Sequence, residues 1–259
     1  MKAVLLAAGK SSRMWPLAQH KSKCMYEFLG KPLIQSTLME LKALGFKNVT
    51  IVISPDDDSI KKYFGNGKKF SLRITYAIQK EPLGTGDALL SARHLLKEPF
   101  IMANANKANL SPILRPMLEL HRKTKEVVLA SRETGTPWKY GILKTKADKV
   151  LGIMEKPKQG EEPSHQKVEG VYIFTPSFLK LLKKTAQSDN SLEETLQQYL
   201  TKKHNVRFTR IDNLPEFTLK HPWDMFTINK TLLDSIKKSE ISKTAKIHST
   251  AIIEGNVII

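Results

Sequence analysis

The sequence predicts an α/β fold built around a mixed, mostly parallel sheet, and three observations lead to this prediction. Residues 3–8 (AVLLAA) are apolar throughout, as in a parallel strand that is buried on both faces. Residues 31–44 carry leucine and isoleucine at helical spacing. Strand-like and helix-like segments then alternate as far as residue 103. Such alternation is typical of a Rossmann-like doubly wound domain, in which ligands bind at the carboxyl ends of the strands.

The first half of the chain supplies these alternating elements in order. Gly45 ends the first helix, because glycine readily adopts the left-handed conformation found at helix C-termini. Short apolar runs rich in β-branched residues predict strands, and amphipathic segments predict helices. On this basis we predict strands at residues 48–54, 72–78 and 100–103, and helices at residues 59–64 and 87–96.

The rest of the main domain is less regular but still mixes strands with helices. Residues 156–163 predict a loop, because Lys, Gly, Glu and Pro dominate them. The same patterns predict strands at residues 126–131, 141–144, 168–174 and 206–211, and helices at residues 176–184, 192–200 and 222–236.

The last fifteen residues, AKIHSTAIIEGNVII, differ in kind from the rest. Isoleucine recurs every six residues at Ile247, Ile253 and Ile259. A six-residue period is typical of a left-handed β-helix made of hexapeptide repeats, and a chance β-hairpin is the alternative. We therefore expect a main domain at residues 1–238 and, at residues 239–259, the truncated beginning of a β-helix that continues in a longer natural protein.

Composition limits the classes of function. The 259 residues carry a formal net charge of +17, with 41% hydrophobic and 26% charged residues, which is typical of a globular protein. The single cysteine, Cys24, excludes an intramolecular disulfide and a cysteine zinc cluster, and it fits a reducing, cytoplasmic compartment. No apolar stretch approaches the ~20 residues of a transmembrane helix, so no membrane partner is expected.

The positive charge indicates an acidic partner. Lys and Arg are scattered along the chain in separate pairs, and no nucleic-acid-binding motif accompanies them. A phosphorylated small molecule is therefore favoured over specific binding of nucleic acid.

A small-residue loop follows the first strand directly, in the sequence LLAAGKSSRM at residues 5–14. Small residues such as Gly9 let backbone N–H groups approach an anion, and Arg13 adds a forked cationic donor. Lys23 and Lys31 follow the loop, and two further cations suit a triphosphate. The spacing matches neither the Walker P-loop nor the dinucleotide-binding fingerprint, and a solvated basic loop is the alternative.

The segments LLAAGKSSRMWPL and SKCMYEFLGKPLIQSTL resemble the signature of the sugar-1-phosphate nucleotidylyltransferases. That family includes glucose-1-phosphate thymidylyltransferase and N-acetylglucosamine-1-phosphate uridylyltransferase. Further matches follow in order along nearly the whole chain. They are Gln79 with LGTG at residues 83–86, YG at 140–141, EKP at 155–157, GVYIF at 170–174 and PWD at 222–224.

This resemblance implies an activity, its substrates and a set of site residues. A nucleoside triphosphate, expected to be UTP or dTTP, would react with a sugar 1-phosphate to give a nucleotide sugar and pyrophosphate. Arg13 and Lys23 would neutralise the triphosphate as the catalytic residues. The resemblance assigns nucleotide binding to Leu6, Ala8, Gly9, Gln79, Gly84 and Thr85, and sugar-phosphate binding to Gly141, Glu155, Lys156 and Val171.

The chain departs from the family where two aspartates would hold Mg²⁺. Asn106 and Thr218 occupy those positions, and a neutral amide with a hydroxyl offers no charge to a hard divalent cation. A shifted alignment would give the second role to Asp212 or Asp224 instead. Mg²⁺ is therefore expected as a cofactor if the protein acts in the family manner. The alternative is that it requires no cofactor.

Two hypotheses follow from the lost carboxylates. In the first, the chain is a catalytically impaired or silent paralogue that binds nucleotide and regulates an active partner in a hetero-oligomer. In the second, it is a metal-independent enzyme in which Lys107 and Lys220, beside the lost aspartates, act electrostatically. Plain surface charge is the alternative for these lysines. An active enzyme is expected to be a homo-oligomer assembled through its β-helix.

Overall fold

The computed structural model describes residues 1–17, 22–185, 191–234 and 236–259. Within these residues the strands are β1 (Lys2–Leu6), β2 (Glu27–Phe28), β3 (Lys31–Pro32), β4 (Asn48–Ile53), β5 (Arg73–Ile78), β6 (Phe100–Asn104), β7 (Val127–Glu133), β8 (Gly141–Lys146), β9 (Lys149–Glu155), β10 (Gln166–Phe174) and β11 (Val206–Arg210). The α-helices are α1 (Leu33–Ala43), α2 (Ser59–Phe64), α3 (Gly84–Ser91), α4 (Leu110–Thr124), α5 (Pro176–Thr185), α6 (Ser191–Thr201) and α7 (Asp224–Asp234).

Nine of these strands form one mixed sheet in the order β5-β4-β1-β6-β10-β7-β11-β9-β8. The strands β5, β4, β1 and β6 are parallel neighbours, and β10 is antiparallel to both β6 and β7. Only β9 and β10 run against the other seven strands of this sheet. The α/β fold with a mixed, mostly parallel sheet is confirmed.

Side chains of the central strands enter two separate cores, one on each face of the sheet. In β1, Leu5 packs with residues of α1 and α4, whereas Val4 packs with residues of α3, α5 and α6. In β6, Ile101 and Met102 divide between the two cores in the same way. Successive side chains of a strand point to opposite faces of the sheet. Because each face is covered by a core, the central residues of both strands are apolar. This explains the continuous apolar run at the N-terminus.

Helix α4 was not predicted from the sequence, although it is the longest helix of the described residues. Its apolar side chains, including Ile113, Leu114 and Met117, recur at helical spacing and are buried. Pro112 lies in the first turn, where its missing N–H removes no intrahelical hydrogen bond, but Pro116 lies inside the helix. The two prolines obscure the helical pattern, and tertiary packing of the apolar face outweighs them.

Other elements differ from the prediction in their bounds. Strand β9 was not predicted, and α3 begins at Gly84, three residues before the predicted start. The last predicted helix is observed as α7, and residue 235 of that prediction lies outside the described residues. Among the described residues, none of the helices has both the length and the apolar composition of a membrane span.

The C-terminal residues 239–259 form turns and isolated pairings. Glu240 forms a parallel bridge with Ile258. The backbone N–H of Glu240 donates to the carbonyl of Val257 at 2.8 Å, and that of Ser242 donates to the carbonyl of Ile259 at 2.7 Å. Several isoleucines of this segment, such as Ile252, are exposed.

Candidate active site

A cavity of about 420 Å³ lies beyond the carboxyl ends of β1 and β6. This is the edge at which parallel sheets bind ligands. Leu6 ends β1 and Asn104 ends β6, and both line the cavity. The resemblance assigned eight residues to catalysis or nucleotide binding, and the structure brings all of them to this wall: Leu6, Ala8, Gly9, Arg13, Lys23, Gln79, Gly84 and Thr85.

The loop after β1 is anchored by a buried apolar side chain. Met14 is fully buried and packs with Phe28 of β2, Leu33 of α1 and Ile228 of α7. Its neighbour Arg13 lines the cavity. The buried Met14 thus fixes the backbone of Arg13 at the cavity, from which the guanidinium can reach an anionic ligand.

The segment that carries Lys23 is held by two hydrogen bonds to distant parts of the chain. The backbone N–H of Lys23 donates to Ser11 Oγ at 3.2 Å, and that of Ser22 donates to Asp57 Oδ2 at 2.9 Å. Ser11 has a φ of 55°, a conformation that most residues other than glycine avoid. The structure gives the Ser11 hydroxyl a positioning role at this loop.

Burial at the cavity wall lowers the pKa of the Lys23 ammonium, and the neighbouring Arg13 guanidinium lowers it further. Two cations held close together destabilise each other unless an anion lies between them. The pair is therefore suited to bind phosphate oxygens, whose negative charge would stabilise the ammonium form of Lys23.

Gln79 is almost fully buried at the end of β5, and its amide is fixed by two acceptors. Its Nε2 donates to the carbonyl of Gly84 at 3.1 Å and to Asp87 Oδ2 at 3.0 Å. These bonds orient the amide toward the first turn of α3, where Thr85 also lines the cavity. Because both N–H groups of the amide are engaged, Oε1 remains as an acceptor for the edge of a base, and backbone N–H groups at the start of α3 can serve as donors.

A second cavity, of about 500 Å³, adjoins the first. Gly141, Glu155 and Lys156 all line it, as the resemblance implied. The two cavities share five wall residues: Arg13, Thr85, Asn104, Thr218 and Lys220.

Val171 is the one assigned residue that the structure does not bring to a cavity. Its side chain is fully buried in the core on the α1 and α4 face of the sheet. Because side chains alternate along β10, its neighbours Gly170 and Tyr172 line the second cavity in its place.

Glu193 also lines the second cavity, although no motif in the sequence marked it. Burial raises the pKa of Glu193 to about 7, and the charge of nearby Glu155 contributes to the rise. Both side chains pack against Gly141, where an added Cβ would lie 2.8 Å from Glu155 Oε2 and 3.6 Å from Glu193 Cγ. The one sequence signal was the acidic first turn of α6.

Asn106 and Thr218, which replace the family aspartates, lie at the wall of the first cavity. A short antiparallel bridge between Lys107 and Thr218 brings the two segments together. Asn106 Nδ2 donates to the carbonyl of Leu219 at 2.7 Å, and Thr218 Oγ1 accepts from Lys107 Nζ at 2.8 Å. Both side chains are thus engaged with protein groups.

The two aspartates considered as replacements are engaged elsewhere. Asp224 Oδ2 accepts the backbone N–H groups of Lys220 and His221, each at 2.7 Å, at the start of α7. Asp212 Oδ1 accepts the backbone N–H of Glu133. Neither aspartate lines the cavities.

The residues present do not fit a divalent ion held by the protein. Thr218 Oγ1 already accepts a hydrogen bond from the Lys107 ammonium group, and the Asn106 amide nitrogen donates one to the carbonyl of Leu219. In the part of the chain that the structure describes, no group of three or more His, Cys, Asp or Glu residues could hold a metal. Mg²⁺ prefers anionic oxygen ligands, so this donor set is a poor match for it.

The chain is similar to a known protein family and to several known proteins. The nucleotidyl transferase family model matches residues 2–223. The bifunctional protein GlmU of Methanococcus maripaludis is 28% identical over 269 residues, covering 100% of this chain and 60% of the relative. The glucose-1-phosphate thymidylyltransferase of Mycolicibacterium smegmatis is 27% identical over 208 residues, covering 78% of this chain and 72% of that protein.

Solved structures share the fold. A UDP-glucose pyrophosphorylase complexed with UDP-glucose has a TM-score of 0.78 and 22% identity, covering 90% of this chain and 98% of that one. The chain spans 60% of the length of the GlmU relative. Because the family model covers most of the chain, this chain belongs to the nucleotidyl transferase family.

Proposed function

We propose that the chain transfers a nucleotidyl group from a nucleoside triphosphate to a sugar 1-phosphate, giving a nucleotide sugar and pyrophosphate. One observation carries this proposal: two cavities of substrate size share a wall that contains Arg13, Thr85 and Lys220. Substrates in the two cavities would meet at that wall, which is cationic as a reaction between two phosphates requires.

In the proposed reaction an oxygen of the sugar phosphate attacks the α-phosphorus of the triphosphate. The bond from that phosphorus to the bridging oxygen of pyrophosphate breaks, and pyrophosphate leaves with the electron pair. The attacking oxygen is already ionised near pH 7, so no proton need be removed. Arg13 and Lys23 stabilise the charge on the triphosphate, and the backbone around Gly9 lies against it.

The remaining assigned residues select and orient the substrates. Gln79, with Gly84 and Thr85, reads the base, while Glu155 and Lys156 hold the sugar and its phosphate. We expect UTP or dTTP, because relatives are named as thymidylyltransferases and as a UTP–glucose-1-phosphate uridylyltransferase. A cytoplasmic location fits these soluble substrates and the single cysteine.

Pyrophosphate release across a panel of sugar 1-phosphates with UTP and dTTP, each with and without Mg²⁺, tests this function. We expect turnover with at least one pair and its loss in Lys23→Met. Lys69→Met, which alters an exposed lysine, is the matched control. Inactivity with every pair, together with stabilisation of the protein by nucleotide, would favour the silent paralogue instead.

We also propose that residues 239–259 are a unit distinct from residues 1–238 and begin a hexapeptide-repeat β-helix that assembles the oligomer. The parallel bridge between Glu240 and Ile258 supports this, because three hexads form one coil of such a helix. A chain ending at residue 238 should then unfold at the same temperature as the full chain. A large drop in its melting temperature would contradict the division.

A further inference from the structure

Three charged side chains are buried together at the wall of the second cavity. Lys107 and Lys167 are each 3% exposed, and Glu169 is 6% exposed. Lys107 Nζ lies 3.2 Å from Glu169 Oε1, and Lys167 Nζ lies 3.4 Å from Glu169 Oε2. The surface-charge interpretation of Lys107 is therefore wrong, since this lysine lies in the interior.

Three further groups extend these contacts into what we call the lysine cluster. Arg132 Nε lies 3.5 Å from Glu169 Oε1, and Glu216 joins the cluster through Lys167 at 3.3 Å and Lys220 at 2.7 Å. The described residues thus bring four cationic groups against two carboxylates by direct contact, which leaves a formal charge of +2.

Lys220 and Glu216, the outer ion pair of the lysine cluster, stabilise each other's ionised forms. Burial alone would lower the pKa of Lys220, but its hydrogen bond to Glu216 holds that pKa above the usual value. The carboxylate responds in the opposite sense. Burial would raise the pKa of Glu216, yet the three lysines lower it to about 2. Lys220 is consequently an ammonium group at neutral pH.

The lysine cluster meets both cavities at one point. Lys107 Nζ donates to Thr218 Oγ1 at 2.8 Å, and Thr218 and Lys220 line both cavities. Lys107 and Lys167 line the second cavity directly. The excess positive charge therefore lies at the shared wall, where the two phosphates would meet in the proposed reaction.

A purely structural role does not account for this excess charge. Burying an ion costs several kcal/mol, and well-packed apolar residues usually stabilise a core at least as well as a buried ion pair. A cluster with balanced charges could still serve to fix a local conformation. Here two cations stand in excess of the carboxylates, and burial lowers the pKa of Lys107. An anion bound at this wall would offset that excess and stabilise the ammonium form of Lys107.

We propose that Lys107, Lys167 and Lys220 together supply the positive charge that a divalent ion would supply to this transfer, so that turnover needs no metal held by the protein. The inference rests on the proposed function. The charge of +2 would stabilise the oxygens of the α-phosphate and the sugar phosphate as the new bond forms. Fixed cations can do this without reorganising during the reaction.

The test compares pyrophosphate release in EDTA and in excess Mg²⁺ for four proteins: wild type, Lys107→Met, Lys220→Met and the surface control Lys69→Met. Wild type and the control should keep turnover in EDTA within about threefold of the rate in Mg²⁺. Loss of one preorganised electrostatic group commonly slows a reaction ~10²–10³-fold, and we expect that loss in EDTA for both cluster variants.

A second variant tests the converse. Lys107→Met combined with Asn106→Asp and Thr218→Asp replaces the buried ammonium with a pair of carboxylates. Mg²⁺ should then raise turnover at least about tenfold over its value in EDTA, which is the gain expected from stabilising the transition state by ~1.4 kcal/mol. Calorimetric titration with UTP in EDTA gives an independent measurement, with weaker binding expected for Lys220→Met than for wild type.

Each outcome separates this inference from the proposed function. Wild-type turnover that appears only with Mg²⁺ overturns the inference and leaves the function intact. The absence of turnover with every substrate pair in both conditions overturns both. Unaltered rates of Lys107→Met and Lys220→Met in EDTA also overturn the inference. If circular dichroism shows Lys107→Met to be unfolded, Lys220→Met decides, because Lys220 lies at the accessible edge of the lysine cluster.

Discussion

Replacing Glu193 with glutamine should make the free energy of unfolding less sensitive to rising pH. The folded protein raises the pKa of this carboxyl from 4.5 to about 7, so ionisation is easier in the unfolded chain. Between these values the folded state binds more protons, and the free energy of unfolding therefore falls as pH rises. Glu193→Gln removes the ionisation and with it this loss.

The pKa shift sets the size of the effect. One pKa unit corresponds to 1.36 kcal/mol, so the full shift corresponds to about 3 kcal/mol at pH 8, and water at the cavity reduces this. Part of the loss has already occurred at pH 5. The stability advantage of Glu193→Gln over wild type should thus grow by about 1–2 kcal/mol between pH 5 and pH 8.

Urea denaturation followed by circular dichroism at pH 5, 6, 7 and 8 measures this difference, and the effects of titrating groups that do not interact with Glu193 cancel between the two proteins. Glu194→Gln is the matched control, because Glu194 is the exposed neighbour on α6. A difference between wild type and Glu193→Gln that stays constant over this pH range would refute the reasoning. An equal pH-dependent gain in the control would refute it as well.

Three further predictions concern individual side chains. Burial raises the pKa of the Cys24 thiol to about 12, so a disulfide reagent at pH 8 should label the folded protein at least ~100-fold more slowly than the protein in urea; fast labelling would contradict this. Gln79→Ala removes two hydrogen bonds, and we expect the KM for nucleotide to rise ~10-fold with a smaller change in kcat; an unchanged KM would argue against base reading. In Gly86→Ala the new Cβ would lie 2.2 Å from Ser191 Oγ, which should lower the free energy of unfolding by ~1–3 kcal/mol in urea, whereas Gly135→Ala, with open space around its Cβ, should not.

The sequence predicts most of the sheet because its strands carry a local signal. In β1 the requirement for apolar residues on both faces leaves an unbroken run that only a buried strand explains. The loop that follows is equally easy to predict, because its small residues and Arg13 are close together in the sequence. These features depend on neighbours in sequence, and the structure places the loop at the cavity as expected.

What the sequence does not predict depends on contacts between distant residues. Lys107 resembles any other lysine of this basic chain until Glu169 and Thr218 are placed beside it, 62 and 111 residues further on. The raised pKa of Glu193 likewise requires Glu155 and a buried cavity wall. A helix with an internal proline, such as α4, is predicted only when its packing partners are known.

The hydrogen bonds around Ser22 and Lys23 have a thermodynamic consequence for ligand binding. Ser11 holds this segment from one side and Asp57 from the other, and Asp57 Oδ1 also accepts the backbone N–H of Ser59 at the start of α2. A carboxylate shared between two segments keeps the lysine backbone in one conformation before any ligand arrives. The loss of conformational freedom at this backbone therefore occurs during folding, and little of the binding free energy is consumed in ordering it.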